Sequence, residues 1–115
     1  MKTHELGLQP IYYQLIKNGT KIYEGRLNDE KRKLINIGDE IIVKKDPERT
    51  ESFVVTVVDK LFFCSFREMA EALKNDQLGL EGMTPEQIAN VYRKFYSKEN
   101  EEKYGVVALK VEVKN

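Results

Sequence analysis

The stretch NGTKIYEGRL, residues 18–27, decides how the chain is interpreted. Its isoleucine, tyrosine and threonine favour a β-strand, and no helical period is present. Strand alternation places Glu24 and Arg26 on one face, about 7 Å apart at the usual rise per residue. Lys21 falls on the opposite face unless it precedes the strand or lies at a bulge, which Gly19 permits.

An ammonium, a carboxylate and a guanidinium group around a small gap form a candidate binding or catalytic site. Gly25 removes one side chain beside the charged pair, so a ligand or another backbone segment can approach closely. Such groups can bind a phosphate or a nucleobase edge, or carry out proton transfer. An ordinary surface strand with a weak Glu24–Arg26 pair, worth about 0–1 kcal/mol, explains the same spacing, so both interpretations stay open.

The size and charge of the chain limit the classes of function. A length of 115 residues predicts a single domain spanning residues 1–115. The 19 basic and 19 acidic residues cancel, and neither half of the chain is strongly basic. Non-specific duplex DNA binding, which depends on neutralising many phosphates, is therefore not expected. A compact pocket for a few nucleotides is compatible with this balance.

Histidine and cysteine each occur once, as His4 and Cys64. We therefore expect no disulfide within the chain, no metal site and no cofactor. Cys64 follows two phenylalanines and is expected to be buried and inert. No apolar segment is long enough for a signal peptide or a membrane span, and we expect a cytoplasmic protein.

The other segments predict short strands and helices without regular βαβ alternation. Strands are expected at residues 4–8, 40–44, 53–58 and 107–113, and helices begin at Pro10, Ser65 and Thr84. The all-apolar strand at 53–58 should be central, the strand at 107–113 half-buried, and residues 97–103 an acidic surface segment. The pattern predicts an α+β fold, with about five to six mostly antiparallel strands curled into a small β-barrel with flanking helices.

The helix beginning at Thr84 carries aromatic residues at helical spacing. Its apolar positions follow the pattern of a core-facing helix: Ile88, Val91, Tyr92, Phe95 and Tyr96. Two aromatic residues at this spacing can stack a base, but core packing is the default expectation for such a helix.

The spacing Gly19-x-Lys21-x-x-Glu24-x-Arg26 resembles the G-x-K-x-x-E-x-R signature of ASCH domains, which are members of the PUA-like superfamily. The resemblance extends over essentially the whole chain, since the downstream strands and helices follow in the expected order. It implies a small PUA-like β-barrel with a ligand cleft beside the signature strand. It also implies a role in RNA-related recognition, with Lys21, Glu24 and Arg26 lining the cleft.

The resemblance also implies candidate roles for individual residues. For binding, Lys21, Glu24 and Arg26 would contact RNA, a nucleoside or a nucleotide, and Tyr12 or Tyr23 would stack on a base. The alternative is a metal-independent hydrolase, either an amidohydrolase acting on acylated cytosine nucleosides or a ribonuclease. The amidohydrolases use a Lys-Thr-Glu set in which threonine follows lysine by three residues, a position that here holds Glu24. The remaining glutamate of that set corresponds to Glu81, so Lys21, Glu24 and Glu81 are the candidate catalytic residues.

Overall fold

A computed structural model describes residues 2–115, which form five strands and five helices. The strands are β1 (Thr3–Leu8), β2 (Tyr23–Leu27), β3 (Glu40–Lys45), β4 (Ser52–Phe63) and β5 (Val106–Val113). The helices are α1 (Pro10–Lys17), α2 (Glu30–Lys33), α3 (Phe66–Ala72), α4 (Pro85–Arg93) and α5 (Lys98–Tyr104).

The strands form one mixed sheet in the order β1-β3-β4-β5-β2. β1 and β3 are parallel, and the other neighbours are antiparallel. The sheet curls into a half-barrel, which confirms the predicted α+β class. β4 lies in the middle of the sheet, as predicted, and a register shift between Val57 and Asp59 interrupts its pairing with β5. β1 and β2 are the two edges, and the candidate site lies where these edges approach each other.

Two hydrophobic clusters cover opposite faces of the sheet. One includes Tyr13 and Ile16 of α1, and the other includes the buried residues of α3 and α4. β5 serves both clusters, since Val107 and Leu109 enter the first and Val106 and Ala108 enter the second. The first half of β5 is therefore buried on both faces, and the half-buried strand predicted from its alternation is wrong there.

Side-chain caps fix the helices that flank the sheet. Ser65 accepts a hydrogen bond from the Glu68 backbone N–H at the start of α3. Thr84 and Gln87 form a reciprocal capping box at the start of α4. Both helix starts were predicted from the sequence.

The acidic segment at 97–103 lies largely on the surface, as expected, and mostly within the helix α5, although its Glu101 is buried. The expectation that Cys64 is buried is wrong. Cys64 is exposed, because it lies in the turn between the end of β4 and the Ser65 cap of α3. Within residues 2–115, no helix combines the length and the apolar character needed to cross a membrane.

Candidate functional site

Lys21 reaches the Glu24 side chain because it lies before the strand. β2 begins only at Tyr23, and the Lys21 backbone N–H is bonded to the Leu15 carbonyl in α1. This position frees Lys21 from strand alternation, and its Nζ lies 3.8 Å from Glu24 Oε1. The structure thus meets the condition that the sequence set for Lys21 to join Glu24 and Arg26.

The Lys21 ammonium group is almost completely buried, with 2% of the residue exposed. Its Nζ donates hydrogen bonds of 2.7 Å to the carbonyls of Tyr23 and Leu78. Burial lowers the pKa of Lys21, and the nearby Glu24 carboxylate opposes that shift. Gly79, in the left-handed region at φ +79°, leaves room for the lysine stem, since a Cβ there would lie 2.8 Å from Lys21 Cδ.

Glu24 lies between the two cations of the site. The residue is 6% exposed, and its Oε2 lies 4.0 Å from Arg26 Nη2. Oε2 is buried and accepts no hydrogen bond from the described residues. Buried carboxylate oxygens are normally satisfied, so a free one marks a position where a ligand can donate a hydrogen bond.

Arg26 bridges the two edges of the half-barrel. Its Nη2 donates to the Gly7 carbonyl of β1 at 3.3 Å, and its Nη1 donates a long bond of 3.5 Å to the Tyr96 hydroxyl. Burial opposes the charged form, but Glu24 and Tyr96 outweigh it and raise the pKa of Arg26. The guanidinium therefore stays charged and spans a gap that no backbone pairing closes within residues 2–115.

A cleft of about 230 Å³ opens at this gap. It is lined by Gly7, Leu8, Gln9, Tyr12, Lys21, Glu24, Gly25, Arg26, Asp46, Leu80, Val91, Tyr92, Phe95 and Tyr96. Pockets for drug-sized ligands measure about 300–1,000 Å³, so this cleft suits a group the size of a nucleobase or a nucleoside.

Aromatic rings form the walls of the cleft. Tyr92 stacks on Phe66 with ring centroids 4.5 Å apart, and Tyr96 stacks on Phe66 at 5.5 Å. Burial, and then the Glu24 carboxylate, raise the pKa of both Tyr12 and Tyr92, so their hydroxyls stay protonated at neutral pH. Phe95, 62% exposed, lies at the rim.

The structure brings four of the six predicted site residues together. Tyr12 joins Lys21, Glu24 and Arg26 in the cleft, and its ring centroid lies 5.7 Å from Lys21 Nζ. Two predicted residues are not part of the lining. The Tyr23 side chain packs against the hydrophobic cluster that includes α3 and α4, and its carbonyl accepts a hydrogen bond from Lys21. Glu81 is exposed outside the cleft, although its neighbour Leu80 lines it.

Sequence reasoning missed several lining residues. Tyr92, Phe95 and Tyr96 gave an aromatic pattern, but core packing explained that pattern equally well. Gly7 and Asp46 gave no signal, because only the approach of β1 to β2 makes them part of the cleft. The space beside Gly25 is occupied by the protein, since a Cβ there would lie 3.0 Å from both Met69 Sδ and the Tyr92 hydroxyl.

No group of three or more His, Cys, Asp or Glu side chains among residues 2–115 is arranged to hold a metal ion. Residues 2–115 thus form an α+β half-barrel with a charged cleft between its edge strands.

The ASCH domain family model matches residues 6–115, and the chain belongs to this family. The crystal structure of hypothetical protein PH0355 is similar at 40% sequence identity and a TM-score of 0.86, covering 99% of this chain and 100% of that one. The solution structure of protein PF0455 from Pyrococcus furiosus shares 39% identity at a TM-score of 0.71, covering 98% of this chain and 97% of that one.

A more distant structure supports the fold alone. An ASCH domain from Lactobacillus crispatus JV V101 has a TM-score of 0.70 at 16% identity, covering 97% of this chain and 79% of that one. A search of curated proteins found no match to the chain.

Proposed function

We propose that this protein binds an RNA base or a nucleotide in the cleft between β1 and β2. The proposal rests on the buried Oε2 of Glu24, which accepts no hydrogen bond from residues 2–115 although the carboxylate lies between the cations Lys21 and Arg26. A carboxylate oxygen accepts hydrogen bonds only, so it favours a base with an exocyclic amine, such as cytosine or adenine.

The neighbouring groups support the same ligand. Lys21 already uses two of its three N–H donors on carbonyls, while Arg26 has five donors and uses two, both at long distance. Arg26 therefore keeps N–H groups for the acceptor atoms of the ligand. Tyr12 and Phe95 line the cleft and supply aromatic rings on which a base can stack.

Titration with cytidine, adenosine, a short single-stranded RNA and duplex DNA tests the proposal. We expect the nucleosides and the RNA to bind, the duplex not to bind, and Arg26→Ala to lower affinity at least tenfold. Arg67→Ala is the matched control, because Arg67 is half exposed on α3 and outside the cleft. Unchanged affinity in Arg26→Ala would remove Arg26 from the site.

A second function, metal-independent hydrolysis, is favoured by the burial of the Lys21 ammonium group in the cleft, 3.8 Å from the Glu24 carboxylate. This burial lowers the pKa of Lys21, as proton transfer by a lysine requires. In this scheme the Glu24 carboxylate activates water and Arg26 stabilises the oxyanion that develops at the scissile carbonyl. Glu81 takes no part in the scheme because it lies outside the cleft.

Incubation with N4-acetylcytidine and with short RNAs in EDTA separates hydrolysis from binding. Turnover by the wild type that is lost in Lys21→Ala, with folding checked by circular dichroism, would establish the enzyme. Binding without turnover of either substrate would leave recognition as the function of the cleft.

A further inference from the structure

The loop between β3 and β4 places Arg49 against Gly7 and Asp46, two residues that line the cleft. Its backbone is anchored at two points, where the Asp46 N–H donates to the Leu8 carbonyl and the Arg49 N–H donates to the Lys45 carbonyl, each at 2.8 Å. Arg49 has a φ of 59°, a left-handed conformation that residues other than glycine rarely adopt. Such strain persists where the surrounding structure imposes it, and it is concentrated at ligand sites.

The loop directs the Arg49 side chain onto β1. A Cβ at Gly7 would clash with Arg49 Nη2 and would lie 2.7 Å from Asp46 Oδ1. Gly7 and Asp46 both line the cleft, and the Gly7 carbonyl accepts the hydrogen bond from Arg26. The guanidinium groups of Arg26, from the edge strand β2, and of Arg49, from the loop, therefore both lie next to Gly7.

The hydrogen bonds of Arg49 leave most of its donors available. Among the described residues its guanidinium donates only to Asp46, from Nε to Oδ1 at 2.7 Å. The Arg49 side chain is 52% exposed and that of Asp46 is 35% exposed, and ion pairs this accessible to water are weak. An anionic group of a ligand can therefore replace Asp46 as the hydrogen-bond partner of Arg49, and the ion pair that is lost contributes little free energy.

The charges around the cleft favour an anionic ligand. Lys21, Arg26 and Arg49 face Glu24 and Asp46, which leaves one positive charge uncompensated. Glu24, the carboxylate proposed to bind the base, is 6% exposed, whereas the side chains of Asp46 and Arg49 are 35% and 52% exposed.

We propose that Arg49 and Arg26 form a phosphate subsite beside Gly7, so that the cleft takes a nucleotide in preference to a nucleoside. This inference rests on the proposed function, because it places the base near Glu24 and the phosphate beside Arg49. Arginine suits this role, since its planar group donates two parallel hydrogen bonds to phosphate oxygens. The phosphate can come from a free mononucleotide or from an internal linkage of RNA.

Calorimetric titration with cytidine, cytidine 5′-monophosphate and the dinucleotide CpC tests the subsite. The readout is the affinity for the nucleotide divided by the affinity for cytidine. Because both ligands carry the same base, changes in base binding cancel in this ratio. We expect a ratio of about ten in the wild type, equivalent to one charge-assisted hydrogen bond. A preference for the monophosphate over CpC identifies a free nucleotide, and the reverse identifies an internal RNA phosphate.

Two variants with opposite expected effects make the test specific. Arg49→Gly removes the guanidinium and suits the left-handed backbone, so the fold is kept while the ratio falls towards one. Asp46→Asn frees Arg49 and is expected to raise the ratio severalfold. Arg67→Ala, which removes an arginine paired with Glu71 on α3, is the matched control and should leave the ratio unchanged.

The outcomes separate this inference from the proposed function. Cytidine binding with a ratio near one in the wild type, or an unchanged ratio in Arg49→Gly, would overturn the phosphate subsite alone. No binding of cytidine or of either phosphate-containing ligand would overturn both.

Discussion

At the scale of single residues, the buried Lys21 and the groups that hold it shape the cleft. Burying an ammonium group is costly unless hydrogen bonds and an opposite charge replace water. Here the carbonyls of Tyr23 and Leu78 and the Glu24 carboxylate supply that replacement. The lysine stem reaches them only because Gly79 carries no side chain.

Replacing Gly79 by alanine tests this packing. Gly79 and Gly19 both have left-handed backbones, at φ +79° and +85°, but only a Cβ at Gly79 meets Lys21. We expect Gly19→Ala to lower the free energy of unfolding by about 1 kcal/mol through backbone strain alone. Gly79→Ala should lose about 1–2 kcal/mol more, because the Lys21 hydrogen bonds are disturbed. Urea unfolding measures the free energy of unfolding of both variants. Equal losses in the two would show that Gly79 is not needed to make room for Lys21.

The sequence predicted part of this site and could not predict the rest. The spacing of Lys21, Glu24 and Arg26 was sufficient to place them together, given a strand that begins after Lys21. The position of Glu81 depended on the path of the loop before α4, which brings Leu80 to the cleft and turns Glu81 to solvent. Local sequence does not determine such a path.

At the scale of elements, α5 stabilises α3 through one buried carboxylate. Glu101 Oε2 accepts a 2.7 Å hydrogen bond from the Phe66 backbone N–H, the first residue of α3. Its Oε1 lies 3.4 Å from Arg93 Nε, at the end of α4. Three helices are thus tied by a residue whose sequence context is entirely polar.

We expect Glu101→Ala to lower the free energy of unfolding by about 2–3 kcal/mol, because it leaves a buried N–H unpaired. The matched control is Glu102→Ala, since Glu102 is exposed on the same helix and should change stability by less than about 0.5 kcal/mol. Chemical unfolding of the three proteins provides the comparison. A loss in Glu101→Ala no larger than that in the control would contradict this role.

Asp39 ties β1 to the turn before β3. Its carboxylate accepts hydrogen bonds from the backbone N–H groups of Lys2 and Asn36 and from the His4 ring. These bonds, the backbone ones first, lower the pKa of Asp39 well below its usual 3.8. Folding therefore favours the ionised form, and this contribution to stability is complete above the unfolded pKa and is lost as pH falls through the folded pKa.

The pH dependence of stability tests this arrangement. We expect Asp39→Asn to melt below the wild type at pH 7, and the difference to shrink as the pH is lowered below about 4. Asp76→Asn, which alters an exposed carboxylate, should follow the wild type throughout. Thermal melts from pH 7 to pH 2 supply the measurement, and a difference that is constant over this range would refute the linkage.

The sequence predicted elements well where the signal was local. Ser65 and Thr84 begin their helices as their capping patterns indicated. The segment Lys98–Tyr104 carries no apolar stripe, and its helix depends on the Ser97 cap and on the tertiary contacts of Glu101. Burial of β5 on both faces likewise follows from helices packing outside the sheet, which alternation within one strand cannot show.

At the scale of the whole molecule, the cleft exists because the sheet does not close. β1 and β2 are brought together by the curl of the half-barrel, and the Arg26–Gly7 hydrogen bond bridges them. A closed barrel would have paired these edges and filled the space with backbone. Glu24 and Arg26 of β2 therefore line a gap between the edge strands, which accounts for the position of the candidate site in the fold.

In the proposed complex, Glu24 accepts a hydrogen bond from the exocyclic amine of the bound base. The most direct measurement is the affinity of the wild type and of Glu24→Gln for cytidine and for uridine, which carries a carbonyl in place of that amine. We predict that the wild type prefers cytidine by about tenfold, as expected for one discriminating polar contact, and that Glu24→Gln loses this preference. An equal preference for cytidine in both proteins, or equal binding of the two nucleosides by the wild type, would contradict the claim.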